Sequence, residues 1–394
     1  TGSMVQGAVF GSVESLEETL LLTGAFVAKY DNSGALLWVE PIGDSNNGVV
    51  GNAVDVDGEG NIYVTGYFFQ QTKLGLGQTN EVTLSGSSGQ IFIAKYNGEG
   101  QLVWAKGIGG ENSDRGDDIV VDSEGSIYIT GSIWGTTVFG QGEPTETELT
   151  SQNTDIFIAK YDNDGQLIWA QQAGGVNSDG GKSIDLDSDG NVYVAGTYFD
   201  QAVFGKGLIN QTTLNDANAS PFLAKYNSDG HLVWVKDVFT SGTGNIAGDI
   251  DVDVENQILF TGSFFGTVTL EVGTSFEKQL IGIDGYEIAV IKYNSDGELL
   301  WAKGVRGVSN DRGEAISTDL LGNVYVAGSF IDNIEFEIGD EISQTLNSSG
   351  NADFFLAKYS PSGKFIWVTS AFGEGNEQAL SVCNDEIGNS YMTG

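Results

Sequence analysis

Residues 118–131 read Asp-Ile-Val-Val-Asp-Ser-Glu-Gly-Ser-Ile-Tyr-Ile-Thr-Gly, and this stretch decides the fold. Its two short runs of β-branched and aromatic residues, 119–121 and 127–130, are typical of strands. Between them, Asp122 opens a tight-turn pattern that ends at Gly125. The glycine supplies a positive φ, and the aspartate accepts hydrogen bonds from the turn's own N–H groups. The stretch therefore predicts a strand, a turn and a second strand.

This pattern belongs to a repeat whose copies follow one another every 65 to 67 residues. One anchor of the repeat is a tryptophan, at Trp38, Trp104, Trp169, Trp234, Trp301 and Trp367. A Lys-Tyr pair lies eight residues before each of them, from Lys29-Tyr30 to Lys358-Tyr359. Two more anchors are the turn aspartates Asp57, Asp122, Asp187, Asp253, Asp319 and Asp385, and a glycine nine residues after each. Six copies of four anchors in one register establish the repeat.

A repeat of this length that holds four antiparallel strands is typical of a β-propeller blade. Residues 135–140 and 146–150, between the second and third strands, indicate an added hairpin that projects from the blade. No segment shows a sustained helical period. We therefore predict an all-β, six-bladed β-propeller of four-stranded antiparallel blades, each with an extra hairpin arm, as a single domain over residues 1–394.

The two ends of the chain stand at the same point of the repeat. The N-terminal piece supplies the late half of a blade and the C-terminal piece the early half. If the N- and C-terminal strands share one blade, the ring closes and two strand edges are covered, which removes an aggregation hazard. The alternative is that these residues belong to a longer array of repeats.

Two motifs of the repeat resemble a known family. Residues 92–106 follow Phe-Ile-Ala-Lys-Tyr-Asn-x-x-Gly-x-Leu-x-Trp-Ala-Lys, and residues 187–196 follow Asp-x-x-Gly-Asn-x-Tyr-Val-x-Gly. Both resemble the SBBP-type β-propeller repeat of bacterial secreted and cell-surface proteins, and the resemblance covers essentially the whole chain. It implies an extracellular or cell-surface setting and carries no catalytic signature. The family label suggests seven blades, whereas six copies are counted here.

Composition narrows the classes of function. The chain has 17 Lys+Arg and 54 Asp+Glu, and its formal net charge is 17 − 54 = −37. Such an acidic surface repels phosphates, which argues against nucleic acid and anionic membranes as partners. No apolar run approaches the roughly 18 residues that a membrane span needs. One cysteine, Cys383, and one histidine, His231, cannot build a disulfide or a Cys/His zinc site.

Two of the three arginines break the regularity of the repeat. They stand in one column, in the loop that enters the first strand of the blade, and a copy between them reads Asp179-Gly180-Gly181-Lys182. Arginine's planar fork suits carboxylates and sugar hydroxyls, and loops on a rigid scaffold often carry binding residues. In a ring of six, these arginines would face each other at the channel mouth. The predicted binding residues are Asp114, Arg115, Asp117, Asp179, Asp311, Arg312 and Glu314. The alternative is that each arginine pairs with a nearby aspartate and orders its own loop.

A second candidate is a calcium loop. Asp185, Asp187 and Asp189 precede Gly190 in the order D-x-D-x-D-G, and alternating oxygen ligands on a tight turn suit Ca²⁺. The pattern lacks the acidic residue that completes an EF-hand loop, and buried strand follows Gly190. The competing interpretation is an ordinary β-turn with an acidic rim and no cofactor.

Three further columns each have two interpretations. The lysine column, Lys29 to Lys358, either lines a channel or bonds aspartates and carbonyls as internal scaffolding; repetition in every blade favours scaffolding. The tryptophan column is predicted to be core. Trp134 and the pairs Phe68-Phe69, Tyr198-Phe199 and Phe264-Phe265 begin the arms. They form either an exposed stacking surface or filler between blades.

Three functions remain. The first is a non-catalytic extracellular or cell-surface module that recognises a polysaccharide or a surface protein. The second is a structural link in a longer surface array. The third is an enzyme such as a polysaccharide lyase or hydrolase, which would need two carboxyl groups with separated pKa values in a cleft. The regular repetition and the shortage of histidine and arginine favour binding over catalysis. Composition leaves the oligomeric state open.

Overall fold

The computed structural model describes residues 1–4, 8–11, 17–43, 48–337, 343–385 and 388–394, and its regular elements are all strands. Within these residues there is no helix, hence none that could cross a membrane. The prediction of an all-β chain of antiparallel sheets is confirmed. The chain divides into two compact units, Thr1–Ile184 and Asp185–Gly394.

The first unit contains strands that follow one another in antiparallel hairpins. They are β1 (Gly2–Met4), β2 (Ala8–Phe10), β3 (Glu18–Leu20), β4 (Gly24–Tyr30), β5 (Leu36–Ile42), β6 (Val50–Val56), β7 (Ile62–Leu74), β8 (Val82–Tyr96), β9 (Leu102–Gly110), β10 (Arg115–Val121), β11 (Ile127–Phe139), β12 (Thr147–Tyr161) and β13 (Leu167–Ala173). Strand β14 (Gly180–Leu186) spans the division between the units.

The second unit repeats the arrangement. Its strands are β15 (Val192–Phe204), β16 (Thr212–Tyr226), β17 (Leu232–Asp237), β18 (Ile246–Val252), β19 (Ile258–Leu270), β20 (Lys278–Tyr293), β21 (Leu299–Gly307), β22 (Arg312–Thr318), β23 (Val324–Phe336), β24 (Gln344–Tyr359), β25 (Phe365–Ala371), β26 (Ser381–Asn384) and β27 (Ser390–Thr393). The number of blades and the closing of a ring stay predictions, as does the single domain.

One repeat is a four-stranded meander. In β10 to β13 each strand pairs antiparallel with the next, and the turn predicted at Asp122 joins the first two. Asp122 Oδ1 accepts the N–H groups of Glu124 at 3.0 Å and Ser126 at 2.8 Å, and Gly125 has a φ of 81°. The turn chemistry inferred from the sequence is therefore confirmed.

The predicted arm exists, but it does not project. Strands β11 and β12 stay paired from Ile127 opposite Tyr161 to Phe139 opposite Thr147, so the arm is the far end of the same hairpin. The hairpin bends back, and Val138 pairs with Gly109 at the end of β9 in the preceding repeat. Phe139 is fully buried as a result. Apolar residues at alternate arm positions explain the bend, because they need a surface to cover.

The tryptophan column lies between repeats and is half-buried, so the prediction of a core position was wrong in detail. Trp104 Nε1 donates to the carbonyl of Asn163 in the next repeat at 3.2 Å, and Trp38 donates to Gly98 in the same way at 3.1 Å. The rings of Trp38, Trp104, Trp234 and Trp301 also pack on the glycine of that turn. A Cβ on Gly100 would lie 2.9 Å from the Trp38 ring, which explains why this turn always carries glycine.

Aspartates on the first strands also join consecutive repeats. Asp55 accepts the N–H of Val121 at 2.7 Å, and Asp185 accepts that of Val252 at 2.6 Å. In the copies that follow each of these two, an aspartate two residues earlier in the first strand makes the bond to the next repeat. These aspartates bond in the same way, from Ile184 N–H to Asp118 and from Ile316 N–H to Asp249. These bonds hold neighbouring first strands side by side.

Candidate functional site

The lysine column is internal scaffolding, as its repetition suggested. Lys292 Nζ lies 2.8 Å from Asp253, and Lys225 Nζ lies 3.4 Å from Asp187. Lys29 instead donates to the carbonyl of Gly98 in the next repeat at 3.0 Å. These amino groups therefore satisfy carboxylates and carbonyls within each unit.

The three aspartates of the calcium candidate have separate roles. Asp187 is buried and accepts hydrogen bonds from Asn191 and Tyr193 as well as pairing with Lys225. Burial alone would raise the pKa of Asp187, but these bonds and the lysine charge together lower it below its usual value. Asp185 bonds to Val252 in the next repeat, and Asp189 is exposed. Within the described residues no three acidic, histidine or cysteine side chains converge on a metal position.

Exposed aromatic side chains occupy one position of the second strand in four repeats. The preceding residue is fully buried in each case, so it fills the interior, while a stacking role for the exposed position stays a prediction. The exposed members are Phe69, Trp134, Phe199 and Phe265, at 41–44% exposure. A β-bulge follows each one, where a residue with a φ of 62–75° interrupts the pairing. The bulge turns the ring away from the sheet and toward solvent.

Asp114 fixes the bulge next to Trp134. Its carboxylate accepts the N–H of Trp134 and the hydroxyl of Thr137, both at 2.9 Å, and the N–H of Gly110 at 3.0 Å. Burial raises the pKa of Asp114 to about 6, although these bonds oppose the rise. The predicted binding residue Asp114 therefore lies inside the protein, where it holds the surface residue in place.

Asp179 and Asp311 have the same internal position. Asp179 accepts the N–H of Gly175 at 2.8 Å, and Asp311 accepts that of Ile331 at 3.1 Å. In the repeat between those of Asp179 and Asp311, the equivalent residue is Asn245, which accepts the N–H of Phe265 at 3.2 Å. The Asp311 Oδ2 atom is buried without a hydrogen-bond partner in the described part of the chain. Burial raises the pKa of Asp311 to about 8.

Substituting Asp311→Asn should stabilise the protein in a pH-dependent way. The unfolded carboxyl has a pKa near 4, so between about pH 4 and 8 the folded state keeps a proton that the unfolded state has lost. The contribution of the Asp311 carboxyl to the free energy of unfolding is therefore fully present below pH 4 and is lost as the pH rises from about 4 through 8. The variant, which copies Asn245, should gain roughly 1–3 kcal/mol at pH 8.5 and little at pH 4.

Thermal unfolding of both proteins from pH 4 to pH 9 measures this difference. The exposed Asp229→Asn serves as the control and should leave the melting temperature unchanged at every pH. A constant difference between Asp311→Asn and the parent across this range would contradict the buried, protonated carboxyl.

Arg115 stacks on an aromatic ring of the preceding repeat. Its guanidinium carbon lies 4.8 Å from the centre of the Tyr67 ring, and Tyr67 meets Phe69 edge to face with the ring centres 5.7 Å apart. The Arg115 side chain is 51% exposed. We call these three residues the Arg–Tyr–Phe platform. It combines a planar cation with an exposed aromatic ring, which suits stacking on apolar ligand faces together with hydrogen bonds to hydroxyls or carboxylates.

Asp117 lies at the edge of the platform. Its carboxylate is 4.0 Å from the Arg115 guanidinium, so the local pairing considered from the sequence is a loose one. Burial raises the pKa of Asp117 to about 6, and the charges of Arg115 and Lys182 oppose that rise. Arg115 therefore keeps most of its hydrogen-bonding capacity for a ligand.

The second predicted cluster lies in the other unit. Arg312 is exposed at the start of β22, and Glu314 is partly buried two residues later. Arg115 stacks on Tyr67 of the preceding repeat. The equivalent residue in the repeat before Arg312 is Ser263, so Arg312 has no tyrosine ring at this position. That the two arginines face each other stays a prediction.

Tyr67 is the platform residue that the sequence interpretation missed. The equivalent positions carry Ser132, Thr197, Ser263 and Ser329, so a single large aromatic among small polar residues was the available signal.

Comparison with known proteins supports the repeat. The family model SBBP, described as a beta-propeller repeat, matches residues 38–67, 103–140 and 168–197. Three regions of this chain therefore match the SBBP β-propeller repeat, as the resemblance predicted.

Two curated relatives are distant and longer. An uncharacterized WD repeat-containing protein, L264, of Acanthamoeba polyphaga mimivirus is 24% identical over 425 residues, which cover 91% of this chain and 30% of the viral protein. The regulatory protein FlaEY of Caulobacter vibrioides is 25% identical over 284 residues, 68% of this chain and 28% of that protein. The chain thus spans less than a third of the length of these relatives.

Two solved structures are also similar. A protein of unknown function from Bacteroides caccae aligns with a TM-score of 0.43 at 10% identity, over 91% of this chain and 97% of that one. A eukaryotic initiation factor aligns with a TM-score of 0.34 at 10% identity, over 98% and 88% of the two chains.

Proposed function

We propose that this chain, an SBBP β-propeller repeat protein, is a non-catalytic binding module that recognises a polysaccharide at the Arg–Tyr–Phe platform. The observation that carries the proposal is the stack of Arg115 on Tyr67 beside the exposed ring of Phe69. Sugar rings have apolar faces that stack on aromatic side chains and hydroxyl groups that bond to guanidinium. The platform offers both kinds of contact on rigid strands.

The carboxylates around the platform favour binding over catalysis. An acid/base pair would need two carboxyl groups that reach a common substrate atom. Asp114 is buried beneath its bulge with three donors on its oxygens, and Asp117 is tied to the Arg115 and Lys182 charges. Asp114 thus holds the bulge beside Trp134, and Asp117 lies against basic side chains. This supports a recognition role in which the ligand leaves unchanged.

We also propose that the module acts outside the cell or at the cell surface, in a six-bladed ring closed by its terminal strands. The SBBP repeats and the strong negative charge support the setting, since the family resemblance implies secreted and surface proteins. The six copies of the repeat support the ring. The competing proposal is that the partner is a surface protein instead of a polysaccharide.

Substituting Tyr67→Ser should weaken polysaccharide binding roughly five- to tenfold, because it removes a stacked ring worth about 1–1.5 kcal/mol. Serine already stands at the equivalent positions 132, 263 and 329, so the fold should tolerate it. Arrays of polysaccharides, followed by calorimetry on the strongest ligand, measure the effect.

The matched control for this variant is Phe199→Ala, which removes an exposed ring equivalent to Phe69, in a repeat whose successor carries Ile246 at the position of Arg115. It should change the affinity by less than twofold. If the parent protein binds no polysaccharide, or if Tyr67→Ser binds as well as the parent, the proposed function is wrong. Capture of a defined surface protein that depends on Tyr67 would assign the platform to a protein partner instead.

A further inference from the structure

A cleft in the second unit gathers positive charge on an otherwise acidic protein. It has a volume of about 330 Å³ and lies among the start of β20, the middle of β21 and the residue after β23. Its lining residues include Lys278, Lys303 and Arg306, and also Glu337. Three of the nine lining residues are basic, compared with 17 of 394 in the whole chain.

Two of these basic residues belong to this repeat alone. The residue opposite the end of the second strand is Lys278 here, whereas Val82, Thr147, Thr212 and Gln344 fill that position in other copies. The residue five places after the tryptophan is Arg306 here, whereas the other copies carry Gly43, Gly109, Gly174, Phe239 and Phe372. Packing repeats in every copy, so a departure from it in two neighbouring positions points to a ligand.

Three acidic groups lie nearby: Glu337 in the lining, Glu335 opposite Arg306 in the pairing of β21 with β23, and Glu287, whose pKa the Arg306 charge lowers against the effect of burial. Lys303 pairs with Glu337 at 2.7 Å. Glu287 accepts the N–H of Ile283 at 2.9 Å and that of Gly307 at 2.8 Å. In the described residues, neither Lys278 nor Arg306 forms an ion pair with an acidic side chain. The nine lining residues carry a net charge of +2, from three basic groups and one acid, and Glu335 and Glu287 adjoin the lining at Arg306.

The cleft floor is open and apolar, and polar groups line its side. Gly304 has space above it, since a Cβ there would first meet the Phe264 ring at 3.6 Å and Leu280 at 3.7 Å. Leu280 and Ala302 are buried beneath, and Gln279 lines the side. A volume near the lower end of ordinary ligand sites fits one sugar ring rather than an extended chain segment.

We propose that this cleft binds a uronate unit of an acidic polysaccharide. The carboxylate would lie between Lys278 and the guanidinium of Arg306, whose planar fork matches a carboxylate in two hydrogen bonds. The ring hydroxyls would donate to Glu337 and Gln279, which supply acceptors beside the cations. An acidic peptide side chain brings a carboxylate but no hydroxyls, so a uronate uses more of the lining. The site does not depend on the Arg–Tyr–Phe platform, since all its residues lie in the second unit.

The negative charge of the rest of the chain repels an anionic ligand, but this repulsion does not prevent binding in the cleft. At physiological salt, charges more than about 8 Å apart are largely screened. A short uronate oligomer therefore responds mainly to the cations that it touches, whereas long polyanions would meet the acidic surface as well.

Calorimetry of the full chain with a trimer of galacturonate, with a neutral galactose trimer and with a hexaglutamate peptide tests the proposal. The variant Lys278→Thr with Arg306→Gln removes both unpaired charges, and threonine already stands at positions 147 and 212. It should weaken galacturonate binding at least tenfold without changing the response to the neutral trimer. The control Lys206→Thr with Lys364→Thr makes the same change in net charge at exposed positions outside the cleft, and should change affinity less than twofold.

Three results would overturn the uronate site: no galacturonate binding by the parent, equal binding of the neutral trimer or of hexaglutamate, or unchanged binding by the double variant. Binding of galacturonate by Tyr67→Ser with the parent's affinity supports the cleft as a separate site. It also distinguishes a failure at the platform from a failure here.

Discussion

Replacing Gly131 by alanine should lower the free energy of unfolding by roughly 3 kcal/mol or more, measured by denaturant titration. A Cβ at this position would lie 2.1 Å from the carbonyl oxygen of Arg115 in β10. That oxygen belongs to a bulged strand, so the strand must move for the methyl group to fit. Gly66 and Gly328 meet the first strand in the same way, at 2.0 and 1.9 Å, which explains why this anchor of the repeat is glycine.

The matched control is Gly58→Ala. A Cβ there meets no atom within 4 Å, and the residue has no positive φ, so the change should stay within about 0.5 kcal/mol. Because Gly131→Ala also displaces Arg115, it should weaken ligand binding at the platform. A Gly131→Ala protein as stable as Gly58→Ala would mean that the close approach of the two strands is wrong.

Substituting Lys292→Met should cost roughly 3–5 kcal/mol, because it leaves Asp253 buried without its positive partner. Both side chains are 2% exposed, with Nζ and Oδ2 separated by 2.8 Å. In other repeats a tyrosine hydroxyl also contacts this aspartate, as Tyr193 contacts Asp187. Here the position is Leu259, so the lysine carries the interaction. Chemical denaturation of the variant gives the loss.

The exposed pair of Lys73 with Glu81 provides the comparison. Its atoms are 2.9 Å apart and its side chains are 30–35% exposed, so Lys73→Met should cost less than about 1 kcal/mol. The double variant Lys292→Met with Asp253→Asn should lose less than the sum of the two single variants, since no charge stays buried. Equal losses for the two lysine variants would contradict the buried pair.

Local chemistry made much of the repeat predictable. The turn at Asp122 and Gly125 could be predicted because the hydrogen bonds of Asp122 and the positive φ of Gly125 involve only residues within four positions. The lysine column was correctly read as scaffolding, since repetition in every copy is typical of packing. The all-β fold follows from the same alternation of turns and short apolar runs.

Contacts between repeats were harder to predict. Trp104 was expected in the core of its blade, yet its indole bonds to Asn163 in the next repeat. Asp114 was expected at a binding surface, yet it is buried because the bulge beside Trp134 leaves N–H groups that need an acceptor. The bulge itself has a weak sequence signal, since its positive φ falls on Gln70 or Asp200 in some copies and on glycine in others.

The two classes of aspartate bond between first strands have a consequence for how the repeats can be exchanged. Asp55 and Asp185 belong to one class and Asp118 to the other, and the copy that holds Asp249 has both, since Asp249 accepts the N–H of Ile316 and Asp251 accepts the hydroxyl of Thr318. The donors are backbone N–H groups that every first strand has, so the class of bond depends only on the copy that supplies the aspartate. Excising one copy would therefore leave a matching donor opposite each remaining aspartate, and the new junction would keep this bond between first strands.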